Sequence, residues 1–203
     1  MLWTFNTDAR IKECELRDNP IIITVNKFDE ESAQEFCTQM SLAHCTGQEV
    51  IPIVIDSYGG QAYSLMRMIS AIKASRLPVA TIVEGKAMSC GAVLFSCGTE
   101  GYRFVGEHAT VMLHEVSSVS WGKNEDIKAN AKETDRLNSK LFKLMARNVG
   151  KPEHYFIDLL HQNKNIDLFF DSDDCVKHNL ANKVGIPTFN ISVQMNIEFR
   201  PKG

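Results

Sequence analysis

Short apolar runs recur along the first half of the chain. Four of them are rich in β-branched residues and almost free of polar ones, which is typical of strands buried on both faces of a sheet. They are Ile21–Val25, Val50–Ile55, Val79–Val83 and Thr110–Leu113. Each of these runs therefore predicts a strand.

Segments of helical periodicity separate these strands. Asp29 can cap the first helix and Gly47 can end it, whereas Pro78 ends the second. A short apolar helix, Cys90–Cys97, is predicted directly after Ser89. Because strands that alternate with helices form βαβ units, we expect an α/β fold with a mostly parallel sheet.

The pattern changes after residue 114. Asn124–Val149 is highly charged and free of proline, and it predicts one long helix. Its apolar residues form a narrow stripe, made by Ile127, Ala131, Thr134, Leu137, Leu141, Leu144 and Met145. A narrow stripe usually contacts another helix, so we expect burial only when copies of the chain associate; a surface helix on its own domain is the alternative. Residues 190–199 alternate apolar and polar side chains and predict a half-buried strand.

The composition is that of one globular domain over residues 1–203, with 44% apolar and 23% charged residues. A net charge of −3 argues against binding to nucleic acid or to an anionic membrane surface. Neither a signal-peptide pattern nor an apolar run of roughly 20 residues is present, so we expect a cytoplasmic protein. The six cysteines form no C-x-x-C pair, and we expect no metal site and no other cofactor.

Ser89 is the first candidate for chemistry, since it stands between a predicted strand and a predicted helix in the stretch GKAMSCGA. Free N–H groups at a helix N-terminus favour negative charge. Ala87 and Gly91, two residues away on either side, are small enough for the sharp turn of a nucleophile elbow, although Ala87 replaces the first glycine of that motif. A serine in this place is more often only an N-cap, so both interpretations remain open.

Two further segments complete a candidate site. The stretch DSYGG (Asp56–Gly60) follows the second strand, and a glycine pair there allows a backbone N–H to point into a cleft, as an oxyanion site requires. His114 directly ends the fourth strand, where ligand crevices form in open α/β sheets. Taken singly, the glycine pair also suits a plain turn, and the histidine also suits a structural role.

The order of these pieces is more specific than any of them. A glycine pair, a serine elbow, a strand-end histidine and a later acid resemble the proteolytic subunit of the caseinolytic Clp protease family, from about Ile21 to Ile186. The matching stretches are IDSYGG, EGKAMSCGAVLFSCGTEGYRFV, ATVMLHE, the long helix after Trp121-Gly122, and DLFFDSDDCVKHNLANKVG. The resemblance implies a ClpP/crotonase-like α/β fold, a spiral of βαβ units from which the long helix protrudes as a handle.

The same resemblance implies a serine endopeptidase that acts on peptides or unfolded proteins. Carried over residue by residue, Ser89 is the nucleophile, His114 is the general base and Asp167 is the acid that orients the base. The N–H groups of Gly59 and Cys90 would form the oxyanion hole.

Spacing alone does not choose the acid, because Asp171, Asp173 and Asp174 crowd the same block. Asp167 matches the acid-x-aromatic pattern of the family. The other three suit the cap of a following helix, Cys175–Leu180.

The resemblance also implies a homo-oligomeric ring, either a heptamer or a double heptamer meshed by the handle helices, or a mixed ring with a related subunit. Several positions depart from the family pattern. Tyr58 stands where the family has a proline, and Ile166 stands where it has an arginine that links rings. After the histidine, Glu115-Val116 replaces Gln-Pro and Ser118-Val119 replaces a second glycine pair, while Pro52 and Val54 replace the aromatic residues that dock the ATPase. We therefore expect this chain alone to bind a Clp ATPase partner poorly.

Three other functions remain open at this point. A crotonase-like acyl-CoA hydratase or isomerase has a related fold and a two-amide oxyanion hole but needs no nucleophilic serine. A non-catalytic subunit of a mixed ring would have the fold without the chemistry. A serine–lysine peptidase would use Lys86 or Lys140 as the base.

Overall fold

The computed structural model describes residues 19–117, 121–164 and 167–188. Its strands are β1 (Ile23–Val25), β2 (Ile51–Ser57), β3 (Val79–Met88), β4 (Arg103–Val105), β5 (Thr110–Leu113), β6 (Leu168–Phe170) and β7 (Lys183–Val184). Its helices are α1 (Glu30–Ala43), α2 (Ala62–Lys73), α3 (Cys90–Phe95), α4 (Asn124–Asn148), α5 (Tyr155–Gln162) and α6 (Ser172–Lys177). Strands and helices alternate as far as β4, which confirms the predicted α/β fold.

The sheet is built around β3. Strands β1, β2, β3, β4 and β7 lie side by side in that order, and all their pairings are parallel. β3 pairs with β4 through Thr81–Val83 and with β5, also in parallel, through Lys86–Met88. β6 pairs with β5 in the antiparallel direction. The carboxyl ends of β2, β3 and β5 therefore meet at one edge of the sheet, where crevices for ligands form in open α/β sheets.

The helices cover the sheet and explain why its strands are apolar. α1 and α2 pack against each other, and all six residues of α3 are buried. Asp29 caps α1 as predicted: its Oδ1 accepts the Ser32 N–H at 2.8 Å, while Ser32 Oγ accepts the Asp29 N–H at 2.9 Å. This reciprocal capping box sets the start of α1 and so the direction in which the chain leaves β1.

The long helix α4 corrects one expectation. Its second half is already buried within its own chain, through Leu137, Leu141, Phe142, Met145 and Ala146. This half of the stripe is therefore not kept for contacts between copies. The prediction fails because Phe142 and Ala146 widen the apolar face enough for it to pack against the domain, including α3 and α5. The first turns remain open, and Ile127 is 40% exposed.

The remaining short elements are not visible in the sequence pattern. β4, β6 and β7 have three, three and two residues, which is too short to show alternation, and α5 was not predicted either. The strand predicted over residues 190–199 lies outside the described residues. Within the described ranges, no helix is both long and apolar enough to cross a membrane.

Candidate active site

A cavity of about 380 Å³ opens at the edge where β2, β3 and β5 end, with α4 as its opposite wall. Ser89 and His114 both line it, although they are 25 positions apart in the chain. Gly60 and Cys90 line it on the serine side. The other residues that line it are Gln61, Ala62, Tyr63, Val93, Leu113, Val116, Ser117, Asn130, Glu133, Thr134, Leu137, Asn138, Leu141 and Phe142.

Ser89 occupies a sharp turn between β3 and α3. Its φ of 55° and ψ of −116° are strained for a residue with a Cβ, and such strain costs about 1–3 kcal/mol. The surrounding backbone holds the turn. The Ser89 N–H donates to the Met112 carbonyl of β5 at 2.9 Å, and the Ser89 carbonyl accepts the Ala92 and Val93 N–H groups. No side-chain cap bond from Ser89 to α3 is formed, so this serine is not a simple N-cap.

The glycine pair packs directly against this turn. A Cβ on Gly59, whose φ is 106°, would lie 2.8 Å from Ser89 Cβ. A Cβ on Gly60, whose φ is 151°, would lie 2.5 Å from the Phe28 carbonyl oxygen. No larger residue fits at either position without moving backbone, so the pair brings main chain against the nucleophile candidate.

Two backbone groups of the glycine pair, the Gly59 N–H and the Gly60 carbonyl, have defined partners. The Gly59 N–H donates to Ser57 Oγ at 3.1 Å, and this bond turns it away from the role expected of it. The Cys90 thiol donates to the Gly60 carbonyl at 3.2 Å. Burial raises the pKa of the Cys90 thiol, so the group stays protonated and can donate.

His114 follows the last residue of β5 and is half-buried. The antiparallel ladder ends with the pair Leu113 and Leu168, and His114 and Asp167 are the next positions along the two chain segments. Asp167 is exposed, and its backbone carbonyl accepts from Asn163 Nδ2 at 3.4 Å.

The competing aspartates have structural roles. Asp171 is the N-cap of α6, since its Oδ1 accepts the Asp174 N–H at 2.8 Å. Asp173 and Asp174 lie in the first turn of that helix, where acidic side chains interact favourably with the helix dipole. The cap was predicted for this group of residues, but the helix begins at Ser172 rather than at Cys175.

Helix α4 is tied to both ends of the cavity by polar contacts that the sequence pattern did not predict. The Val116 N–H donates to Asn138 Oδ1 at 2.8 Å, two residues after His114. On the other side, Tyr63 Oη donates to Glu133 Oε1 at 2.6 Å. Arg136 donates twice to the same carboxylate, at 2.7 Å each. Arg136 first and then Tyr63 lower the pKa of Glu133 to about 2, so the carboxylate is ionised near neutral pH.

The two lysines considered as alternative bases lie elsewhere. Lys86 Nζ pairs with Asp56 Oδ1 at 2.9 Å and stands 4.5 Å from the centre of the Tyr58 ring. The hydrogen bond to Asp56 raises the pKa of Lys86, which makes it a poor proton acceptor. Lys140 lines a separate cavity between α2 and α4.

Comparison with known proteins identifies the family that the chain resembles. The family model described as Clp protease matches residues 9–187. The chain is also similar to the ATP-dependent Clp protease proteolytic subunit 2 of Frankia casuarinae, with 29% identity over 159 residues. That match covers 78% of this chain and 71% of the relative.

Proposed function

The chain belongs to the Clp protease family, and we propose that it is a serine endopeptidase with Ser89 as nucleophile, His114 as general base and Asp167 as the orienting acid. The observation that carries the proposal is the shared cavity. Ser89 lies there in a strained turn, His114 lines the same space, and His114 and Asp167 directly flank the last pair of the β5–β6 ladder, Leu113 and Leu168.

The chemistry follows from these positions. His114 takes the proton of Ser89 Oγ as the oxygen attacks the peptide carbonyl, and it later gives the proton to the leaving amine. Asp167 holds the tautomer of the imidazole and stabilises the imidazolium. Water then hydrolyses the acyl-enzyme in a second cycle of the same groups.

Two backbone N–H groups stabilise the oxyanion in this proposal. Cys90 supplies one of them, since it is the first residue of α3 and directly follows the nucleophile. Gly59 was the predicted source of the other, but its N–H is donated to Ser57 Oγ. We assign the second donor to Gly60, which lines the cavity and whose carbonyl faces Cys90 Sγ.

Assembly and partners belong to the same proposal. We propose that the protein works as a homo-oligomeric ring, or in a mixed ring with a related subunit, on peptides or unfolded proteins in the cytoplasm. The exposed first turns of α4 are the part of the handle that remains open for contact between copies. Native mass measurement of the purified chain tests whether it forms a ring. A chain that is monomeric and still hydrolyses peptides would contradict the proposed assembly.

The activity itself is tested by covalent labelling and turnover. Wild-type protein should react with a fluorophosphonate at Ser89 and cleave short apolar peptides. Ser89→Ala should not be labelled, and its rate of peptide cleavage should be lower by several orders of magnitude. Ser117→Ala, another serine that lines the cavity, is the matched control and should keep both. Unchanged turnover in Ser89→Ala would refute the assignment, and a wild-type chain that neither reacts nor cleaves would favour a non-catalytic subunit or a crotonase-like enzyme.

A further inference from the structure

Ser57 is a fully buried polar residue that the proposed reaction does not use. It is the last residue of β2 and has 0% exposure. Pairing between β2 and β3 is irregular just before it: Ile55 pairs with Val83, but Ser57 pairs with Ala87, two residues before Ser89. The Ser57 hydroxyl is thereby brought under the glycine pair, where it accepts the Gly59 N–H at 3.1 Å.

The glycine pair needs such an anchor. Glycine rotates about its backbone bonds with little steric cost, so neither glycine fixes the direction of its own N–H. The space around the pair, between the Ser89 turn on one side and Phe28 on the other, admits no Cβ that would restrict rotation. The orientation of these peptide groups therefore depends on hydrogen bonds.

Three bonds fix the pair from different directions. Ser57 Oγ accepts the Gly59 N–H, and the Cys90 thiol donates to the Gly60 carbonyl. The next N–H along the chain, that of Gln61, donates to the Phe28 carbonyl at 2.7 Å. The N–H groups of Gly59 and Gln61, on either side of Gly60, thus donate to Ser57 and Phe28. Gly60 itself lines the cavity, and its carbonyl faces Cys90.

We infer that Ser57 is a positioning residue for the oxyanion hole: by holding the Gly59 N–H, its hydroxyl keeps the glycine pair in the rotation that presents the Gly60 backbone to the nucleophile. This inference rests on the proposed peptidase function. Ser57 would touch no substrate atom, and its effect should appear in the stabilisation of the transition state rather than in substrate binding.

The test compares two variants at Ser57 with a buried serine elsewhere. Ser57→Ala removes the acceptor, and Ser57→Cys keeps a side chain of similar volume with a weaker acceptor. Ser96→Ala is the control, because Ser96 is equally buried and its hydroxyl, at the C-terminal end of α3, donates to the Val93 carbonyl and accepts from Asn148 Nδ2. Each variant is assayed for kcat, KM and the inhibition constant of a peptide boronate, whose tetrahedral oxygen mimics the oxyanion.

In Ser57→Ala, kcat should fall by about 10- to 100-fold and boronate affinity by a similar factor, while KM changes by less than about 2-fold. Ser57→Cys should lie between wild type and Ser57→Ala, and Ser96→Ala should match wild type in all three quantities. An active wild type whose kcat and boronate affinity are unchanged in both Ser57 variants would overturn the inference and leave the proposed function standing.

Two other outcomes are also decisive. If wild type lacks fluorophosphonate labelling and turnover, the proposed function fails and this inference fails with it. If Ser57→Ala does not fold, a folded Ser57→Cys with wild-type kcat and boronate affinity contradicts the inference, whereas a loss confined to those two quantities supports it.

Discussion

The two sides of the cavity are built in different ways. On the serine side, Ser57, Gly59 and Ser89 are held by buried main chain within the parallel part of the sheet. On the histidine side, His114 and Asp167 follow and precede short strands at the end of an antiparallel ladder, and Asp167 is exposed. The side that must hold a strained turn is thus also the side with the most surrounding core.

This difference indicates how each side keeps its geometry. A strained backbone persists only where the structure around it leaves no alternative, which the buried α3 and the glycine pair provide for Ser89. In the proposed mechanism the histidine needs only orientation, for which we propose Asp167 and the bond from α4 to Val116. Substitutions on the serine side should therefore affect fold and rate together, and those on the histidine side should affect rate alone.

The largest effect on rate alone is expected at the acid. Asp167→Asn should lower kcat by about 10³–10⁴-fold, because in the proposed mechanism the base loses the group that sets its tautomer and stabilises its charged form. The exposed position predicts an unchanged unfolding transition. Steady-state kinetics and thermal unfolding of the same sample measure both.

Asp171→Asn is the control for that variant. Asparagine is as good an N-cap as aspartate, so both stability and kcat should stay near wild type. If Asp171→Asn were inactive and Asp167→Asn nearly normal, the orienting acid would have to be reassigned to Asp171.

The next effect is expected at the glycine pair. In Gly59→Ala the new Cβ would lie 2.8 Å from Ser89 Cβ and 3.0 Å from the Met88 carbonyl oxygen, so the serine turn must shift. We expect kcat to fall by about 10²–10³-fold, because the shift also displaces the Cys90 N–H, and losing one oxyanion donor has an effect of this size. The melting temperature should fall as well. Gly101→Ala is the control for positive φ alone, since its φ is 86° and a Cβ there meets no atom within 4 Å. Equal rates in the two variants would show that the contact with Ser89 is unimportant.

The smallest effect is expected where α4 supports the histidine side. Asn138→Ala leaves the Val116 N–H without its acceptor, which should loosen the segment after His114 and lower kcat by about 10-fold or less. Ser139→Ala, at the exposed neighbouring position, should have no effect. A lower kcat in Asn138→Ala without a change in melting temperature would support the difference between the two sides of the cavity. A large fall in its stability would contradict that difference.

The sequence by itself determined the features that depend on neighbouring residues. The four apolar runs became β1, β2, β3 and β5, and Asp29 became the cap of α1. The elbow at Ser89 was also visible, because small residues and a strand–helix boundary are local signals. The order of the motifs was enough to predict the family.

The long helix shows where local signals stop. Its position was predicted closely, as Asn124–Asn148 against an expected 124–149, because charge, periodicity and absence of proline lie within one segment. What the second half of its apolar stripe packs against was predicted wrongly, because that depends on the shape of the rest of the domain. The bond between Tyr63 and Glu133 joins residues 70 positions apart, and no pattern along the chain indicates it.

Tertiary structure alone decided which N–H of the glycine pair already donates a hydrogen bond within the protein. The sequence could place the pair near the serine, but the direction of a glycine N–H depends on which acceptor lies nearest in space. The irregular pairing of β2 and β3 puts the Ser57 hydroxyl at that point. Residue types along the chain thus determined which groups are available for the chemistry, whereas contacts between distant segments decided how those groups point, because hydrogen bonds depend on distance and angle in space.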